Sequence, residues 1–262
     1  MRHLLILLLV VLAPACVLTT APAPGLARFA AGTETATTDY GTVALEAGAA
    51  IDEGESQAYP VRVMHGLTED VEVYLDWSVY EKVDRPGLDE GEGIGDAGLG
   101  IRHRFWESAQ GTSTAVEGRV SIPTGDDDEG TGSGSLDWFG SVMVSQEIDD
   151  VLLNGWIELG ILGDALEDDT DITRAAALSI AANLEERLIG YAEVSRVLTE
   201  TDDPAYLALG LGWRATAETT LDVGAAWGLN DEADDAVLFL GLRTNLGILG
   251  AQGPRLEEDL PR

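Results

Sequence analysis

This 262-residue chain holds one cysteine, one lysine and three histidines, and these shortages exclude several classes of protein. With Cys16 alone no intrachain disulfide can form, so the fold cannot rest on covalent staples. Zinc needs three or four nitrogen or sulfur ligands. With His3 close to the start, only His65 and His103 stand in the body of the chain. Lys82 is the sole lysine, and 15 Lys and Arg stand against 47 Asp and Glu for a formal charge of −32. Phosphate backbones are bound by basic patches, so nucleic acid is excluded as a partner. An acidic, lysine-poor chain points instead to a salty or cation-rich habitat, or to a biased genome. No stretch reaches the roughly eighteen consecutive apolar residues that a membrane-spanning helix needs.

What is present begins with a leader. Residues 1–15 read as a signal peptide: Arg2 supplies the positive start, 4–12 is an unbroken apolar run, and Ala13-Pro14-Ala15 is a small-residue cleavage pattern. Cleavage further on, as far as residue 27, is the alternative. Cys16 sits where a lipid-modified cysteine would, but Ala13 and Pro14 fit a lipoprotein signal poorly. Export is the expectation in either case.

Beyond residue 42 the chain repeats one unit. It is a run of alternating apolar and polar residues followed by a turn, as in Val71-Glu72-Val73-Tyr74-Leu75-Asp76-Trp77-Ser78-Val79. Such alternation is that of strands with two different faces. Strands are expected at 42–51, 57–64, 71–80, 93–106, 114–122, 136–145, 151–162, 172–184, 188–197, 206–215, 221–229 and 237–246. The phase of 151–162 is open, because both of its faces are apolar. Turns around Thr68, Gly111, Asp149, Glu186 and Ala217 are short. Those at 52–55, 84–92, 126–129, 164–171, 200–203 and 231–235 are longer and rich in carboxylates. A soluble β-sandwich also alternates, but its polar face would carry many charges. Here that face is mostly small, as at Gly98, Gly100, Ala177, Ser179, Gly210, Gly212 and Ala226. The expected fold is therefore all-β: an antiparallel transmembrane β-barrel of about twelve strands, of the outer-membrane type. It spans 42–246, after a periplasmic N-terminal segment at 28–41 and before a C-terminal tail at 247–262.

Three segments carry a resemblance to a family: His65-Gly66-Leu67-Thr68-Glu69-Asp70-Val71-Glu72-Val73, Gly93-Ile94-Gly95-Asp96-Ala97-Gly98-Leu99-Gly100, and Ser121-Ile122-Pro123-Thr124-Gly125-Asp126. With the glycine-rich 130–135 and the closing 235–245, the chain resembles an outer-membrane barrel family of transporters named for the MetA pathway of phenol degradation. The resemblance implies passage of small, often aromatic or apolar molecules. The chain departs from the outer-membrane habit of ending on an aromatic strand residue, since it continues past Leu246.

Other motifs lose their chemistry in this setting. Gly93-Ile94-Gly95-Asp96-Ala97-Gly98 fits the dinucleotide pattern, which works only where a strand meets a helix; here a strand follows. The interval from Gly125 to Gly130 resembles a phosphate loop but lacks its lysine. Asp126, Asp127, Asp128 and Glu129 are candidates for loosely held calcium or magnesium, with plain hydration of an external loop as the alternative. His103 lacks a serine beside it on its own strand, so a lipid-face hydrolase is not expected, nor any cofactor.

The residues expected to face the interior with charge are Glu72, Asp76, Asp96, Arg102, Arg104 and Glu117, followed by Arg119, Glu158, Glu193, Asp222 and Arg243. They either fill a narrow barrel with ion pairs or line a selective path. The functional expectation is an outer-membrane channel for passive passage of small solutes, surrounded by lipid and lipopolysaccharide and inserted by the barrel-assembly machinery. The alternative is a non-conducting barrel acting through its acidic outer loops.

Overall fold

The protein is described here from a computed structural model covering residues 34–52, 56–83, 91–163, 170–199 and 203–248. The leader, most of the tail and the carboxylates at 84–90, 164–169 and 200–202 lie outside the described residues.

Thirteen strands follow in chain order: β1 (Thr42–Asp52), β2 (Gln57–Gly66), β3 (Val71–Val83), β4 (Gly91–Gly93), β5 (Ala97–Glu107), β6 (Thr112–Ile122), β7 (Asp137–Ile148), β8 (Val151–Gly163), β9 (Thr170–Glu185), β10 (Leu188–Leu198), β11 (Ala205–Arg214), β12 (Thr219–Gly228) and β13 (Ala236–Ile248). Twelve of them are long and pair antiparallel, each with its neighbours, and β1 pairs with β13 to close the barrel. The three-residue β4 is a short addition on the end of β3. Closure leaves no sheet edge, so each strand's backbone groups are satisfied by its neighbours.

The period of two sets inside from outside. On β3, Glu72, Tyr74, Asp76 and Ser78 are buried, while Leu75 and Val79 are exposed. Across the barrel, Leu99, Ile101, Leu178, Leu209 and Leu240 are 40–57 % exposed. That much apolar surface, spread around the whole circumference, is a lipid-facing belt. Trp106 and Trp213 sit at one edge of the belt and Trp138 and Trp227 at the other, all about half exposed. These are the aromatic girdles that sit at the two membrane interfaces.

The turns alternate as the spacing predicts. Short connections at 67–70, 108–111, 149–150, 186–187 and 215–218 occupy one rim, and the strand ends that flank the longer connections lie at the other. One of the two-residue turns, Asp149-Asp150, places Asp149 at φ 53°, a left-handed conformation that Asp tolerates in such hairpins.

Two segments differ from the sequence reading. The strand expected at 93–106 is split, because 94–96 leaves the ladder between β4 and β5. The cause is Asp96. Its Oδ1 accepts from the amides of Thr124 and Gly125 (3.0 and 2.9 Å), and its Oδ2 from the amide and hydroxyl of Ser133 (2.9 and 3.2 Å). One carboxylate thus pins the long β6–β7 loop. The open phase of β8 is also resolved. Asn154 and Gly160 are buried and turn inward, while Ile157, Leu159 and Ile161 are exposed.

Candidate functional site in the barrel interior

The wall formed by β2, β3, β5 and β6 is packed with ion pairs. Arg119 holds Asp76 through Nη2 at 2.8 Å and Nε at 3.0 Å, and Arg62 reaches the other oxygen of Asp76 at 3.2 Å. Arg102 pairs with Glu117 at 2.8 Å. The Arg62 guanidinium lies 4.2 Å from the Tyr74 ring centre, and that of Arg119 lies 5.3 Å from Phe139. Glycines make room for this layer. A Cβ at Gly98 would collide with Asp76 and Arg119, and one at Gly100 with the Tyr74 ring. The pattern that mimics a dinucleotide loop is thus a floor under large charged side chains.

The opposite wall is thin. The inner faces of β9, β11 and β12 carry Ala177, Ser179, Ala208, Gly210, Gly212, Gly224 and Ala226. Tyr191, Tyr206 and Phe239 pack against Ala208 and Ala226. Two buried carboxylates belong to this side, Glu193 on β10 and Asp222 on β12. A polar ladder leads along the wall: Ser145 Oγ donates to Asn154 Oδ1 at 2.7 Å, and Asn154 Nδ2 donates to Ser179 Oγ at 3.1 Å. Ser179 is the register neighbour of Glu193.

The segment before β1 forms a strap inside the short-turn end. The amide and hydroxyl of Thr38 both donate to Glu72 Oε2, at 2.7 and 2.6 Å. The Thr35 amide donates to Ser145 Oγ at 3.0 Å, and Arg102 Nη1 donates to the Ala36 carbonyl at 3.1 Å. Tyr40 makes a parallel bridge to Gly66, where any Cβ would strike the backbone of Thr38 and Asp39. Thr35 and Thr38 are buried. Beside the strap a cavity of about 430 Å³ is lined by Glu34, Arg104, Ser145, Asn154, Tyr191 and Arg214, among others. That volume lies within the roughly 300–1,000 Å³ of small-molecule sites.

The sequence-predicted charges take several different places. Asp76, Arg102, Glu117 and Arg119 form the packed wall, and Arg243 joins the interior across the closing seam, pairing with Glu46 at 3.0 Å. Glu72 holds the strap, and Glu158 accepts from Ser141 at 2.8 Å. Arg104 sits at the short-turn rim, paired with Asp70 at 2.9 Å and Glu107 at 3.3 Å. Asp96 anchors a loop rather than lining a path, and Glu193 and Asp222 stand on the thin wall. Glu46, Arg62, Asn154 and the strap threonines join the interior without standing among the charges expected from the sequence. Alternation within β1 and β2 places Glu46 and Arg62 on the inner face, so their phase was the available signal. At the long-loop rim, Asp126 Oδ1 accepts from the amides of Asp128 and Glu129, and among the described residues no three metal-ligating side chains converge. His103 faces outward with Val71 and Val116 as its cross-strand partners, and its ring meets Phe105 edge-on at 6.4 Å.

A closed twelve-stranded antiparallel barrel with an apolar belt, aromatic girdles and a polar interior is the architecture of an integral outer-membrane protein. Among solved structures, the COG4313 outer membrane channel from Pseudomonas putida F1 is similar with a TM-score of 0.63 at 11 % identity, over 87 % of this chain and 100 % of that one. The NanC porin matches with a TM-score of 0.55 at 11 % identity, over 77 % of this chain and 100 % of its own. The KdgM porin in complex with disordered oligogalacturonate matches with a TM-score of 0.58 at 6 % identity, over 78 % and 99 %. At these identities the likeness is one of fold. No family model and no curated protein matches the chain, so the MetA-pathway family is a resemblance and no more.

Proposed function

We propose that the protein is a passive channel for small solutes in the outer membrane, with the short turns and the strap at the periplasmic rim and the long acidic loops outside. The asymmetry of the interior carries this reading. One wall is filled by ion pairs, whereas the other carries three aromatic rings over glycine, alanine and serine and opens at the short-turn end on the cavity beside the strap. The rings of Tyr191, Tyr206 and Phe239 along the thin wall support a solute with an apolar or aromatic part, as the family resemblance implies. The belt sits in lipid and lipopolysaccharide, and insertion falls to the assembly machinery.

The strap and the ion-pair wall favour a second reading, a barrel closed by its own side chains that acts through its outer loops. Single-channel recording in planar bilayers separates the two. Discrete conductance steps from the purified protein support the channel. Their absence, with current appearing only once the strap is released, supports the closed barrel.

A further inference from the structure

We infer that the path along the thin wall selects small monovalent cations, alkali or ammonium, and that the Glu193 carboxylate is the selecting group; this rests on the channel reading above. Glu193 is 7 % exposed and stands between Ser179 and Ala208 in register, on the inner face. Its Oε2 is buried and has no hydrogen-bond partner among the described residues. A carboxylate taken out of water without a partner is costly, and a cation passing beside it restores what was lost.

Among the described residues no arginine of the interior is free to supply that partner. Arg62 and Arg119 are held by Asp76, Arg102 by Glu117, and Arg243 by Glu46. Leaving out Asp96 and Asp137, which hold loop ends, six carboxylates but only three arginines are buried among the described residues, so the interior is acidic after pairing. The approach has the same sign. Five carboxylates line the cavity at the short-turn end against two arginines. Of these two, Arg104 is paired with Asp70 and Glu107, and Arg214 is tied to Asn183 Oδ1 and the Glu186 carbonyl. Low-dielectric walls focus such a field and concentrate ions of opposite charge.

The remaining chemistry suits a cation as well. The oxygens of Ser145, Asn154 and Ser179 run from the cavity toward Glu193, in the manner of polar groups that replace an ion's hydration. Tyr191 on the cavity side of Glu193 and Tyr206 on its far side, with Phe239 packed beside them, offer rings that attract a positive charge where water is scarce.

The test is the reversal potential of the reconstituted full-length protein in planar bilayers under a KCl gradient, for wild type and Glu193→Gln. Wild type is expected to favour potassium over chloride. The variant, with heat-modifiable gel mobility as the check on folding, is expected to lose about tenfold of that preference, the low end of electrostatic focusing in a cleft. Current that prefers chloride in wild type overturns this inference and leaves the channel reading standing, whether or not the variant folds. A folded variant with unchanged preference removes Glu193 from the role. A bilayer that stays silent with wild type overturns both readings together.

Discussion

Glu46 and Arg243 face each other across the seam where the last strand meets the first, their side chains 3.0 Å apart although 197 residues separate them in the chain. Glu46 is 1 % exposed, so the pair closes the barrel from inside. Arg243→Ala removes a charge-assisted partner from a buried carboxylate and is expected to destabilise the barrel by about 1.5–3 kcal/mol. Urea unfolding in detergent, followed by tryptophan fluorescence, measures this. Arg243→Lys restores the charge and should recover part of the loss. If alanine and lysine behave alike, the seam does not depend on this pair.

Asp96 gathers four hydrogen bonds from the β6–β7 loop, and its replacement by alanine should free that loop while leaving the wall intact. Losing one hydrogen bond to a charged group costs about 1.5–3 kcal/mol, enough to raise the open population of the loop at least tenfold. Cleavage by Glu-C protease at Glu129 reads that population directly. Faster cutting in Asp96→Ala, with unchanged heat-modifiable mobility, is the expected result. Equal cutting rates would mean that the loop is held by other contacts.

The strands were legible wherever one face is strongly apolar and the other is not. Val71, Val73, Leu75 and Trp77 against Glu72, Tyr74, Asp76 and Ser78 leave a single phase for 71–78 of β3; beyond Val79 a register shift turns Glu81 and Val83 inward instead. β8 lacked that contrast, because Leu152 and Trp156 turn inward as readily as Leu153 and Ile157 turn to lipid; the hydrogen-bond ladder with Ser145 and Ser179 sets its phase. Glu46 and Arg62 escaped notice among inner neighbours that are apolar, namely Ala44, Met64 and Tyr74. Asp96 passes for a strand charge because a carboxylate suits a lumen and a loop anchor equally well, and only its partners, 28 and 37 residues on, tell them apart. The strap gave no periodic signal at all. Its polar residues reach partners 34 and 110 residues away, which no local pattern encodes.

The two faces of the wall predict opposite responses to one added charge. Leu209 on β11 is 46 % exposed on the lipid side, and Arg there should cost about 2–4 kcal/mol at mid-depth. Ser179→Arg on the inner face escapes the lipid cost, and Glu193, its register neighbour, stands ready to pair with the new guanidinium. Refolding yields into liposomes and urea midpoints compare the two. Equal sensitivity on both faces would contradict a belt set in hydrocarbon.

Arg102 and Arg119 lie in closed pairs, and their neutralisation should disturb stability more than conduction. The strap is the opposite case, because Glu72 binds it by two hydrogen bonds to one carboxylate oxygen, from the Thr38 amide and hydroxyl. Together such bonds are worth about 3–5 kcal/mol, so their loss shifts the detached population on the order of a hundredfold or more. Glu72→Ala therefore should widen the short-turn mouth without touching the thin wall. Larger or noisier single-channel currents are expected, while Thr38→Val, which removes the hydroxyl but keeps the amide, should give an intermediate trace. The thin wall and Glu193 are unaltered in both variants, so the ratio of cation to anion flow should stay near that of wild type. A current that is unchanged in Glu72→Ala would show that the strap leaves the mouth open already. A change in ion preference alone would instead place the Glu72 charge, rather than the strap it holds, in the path of the ions.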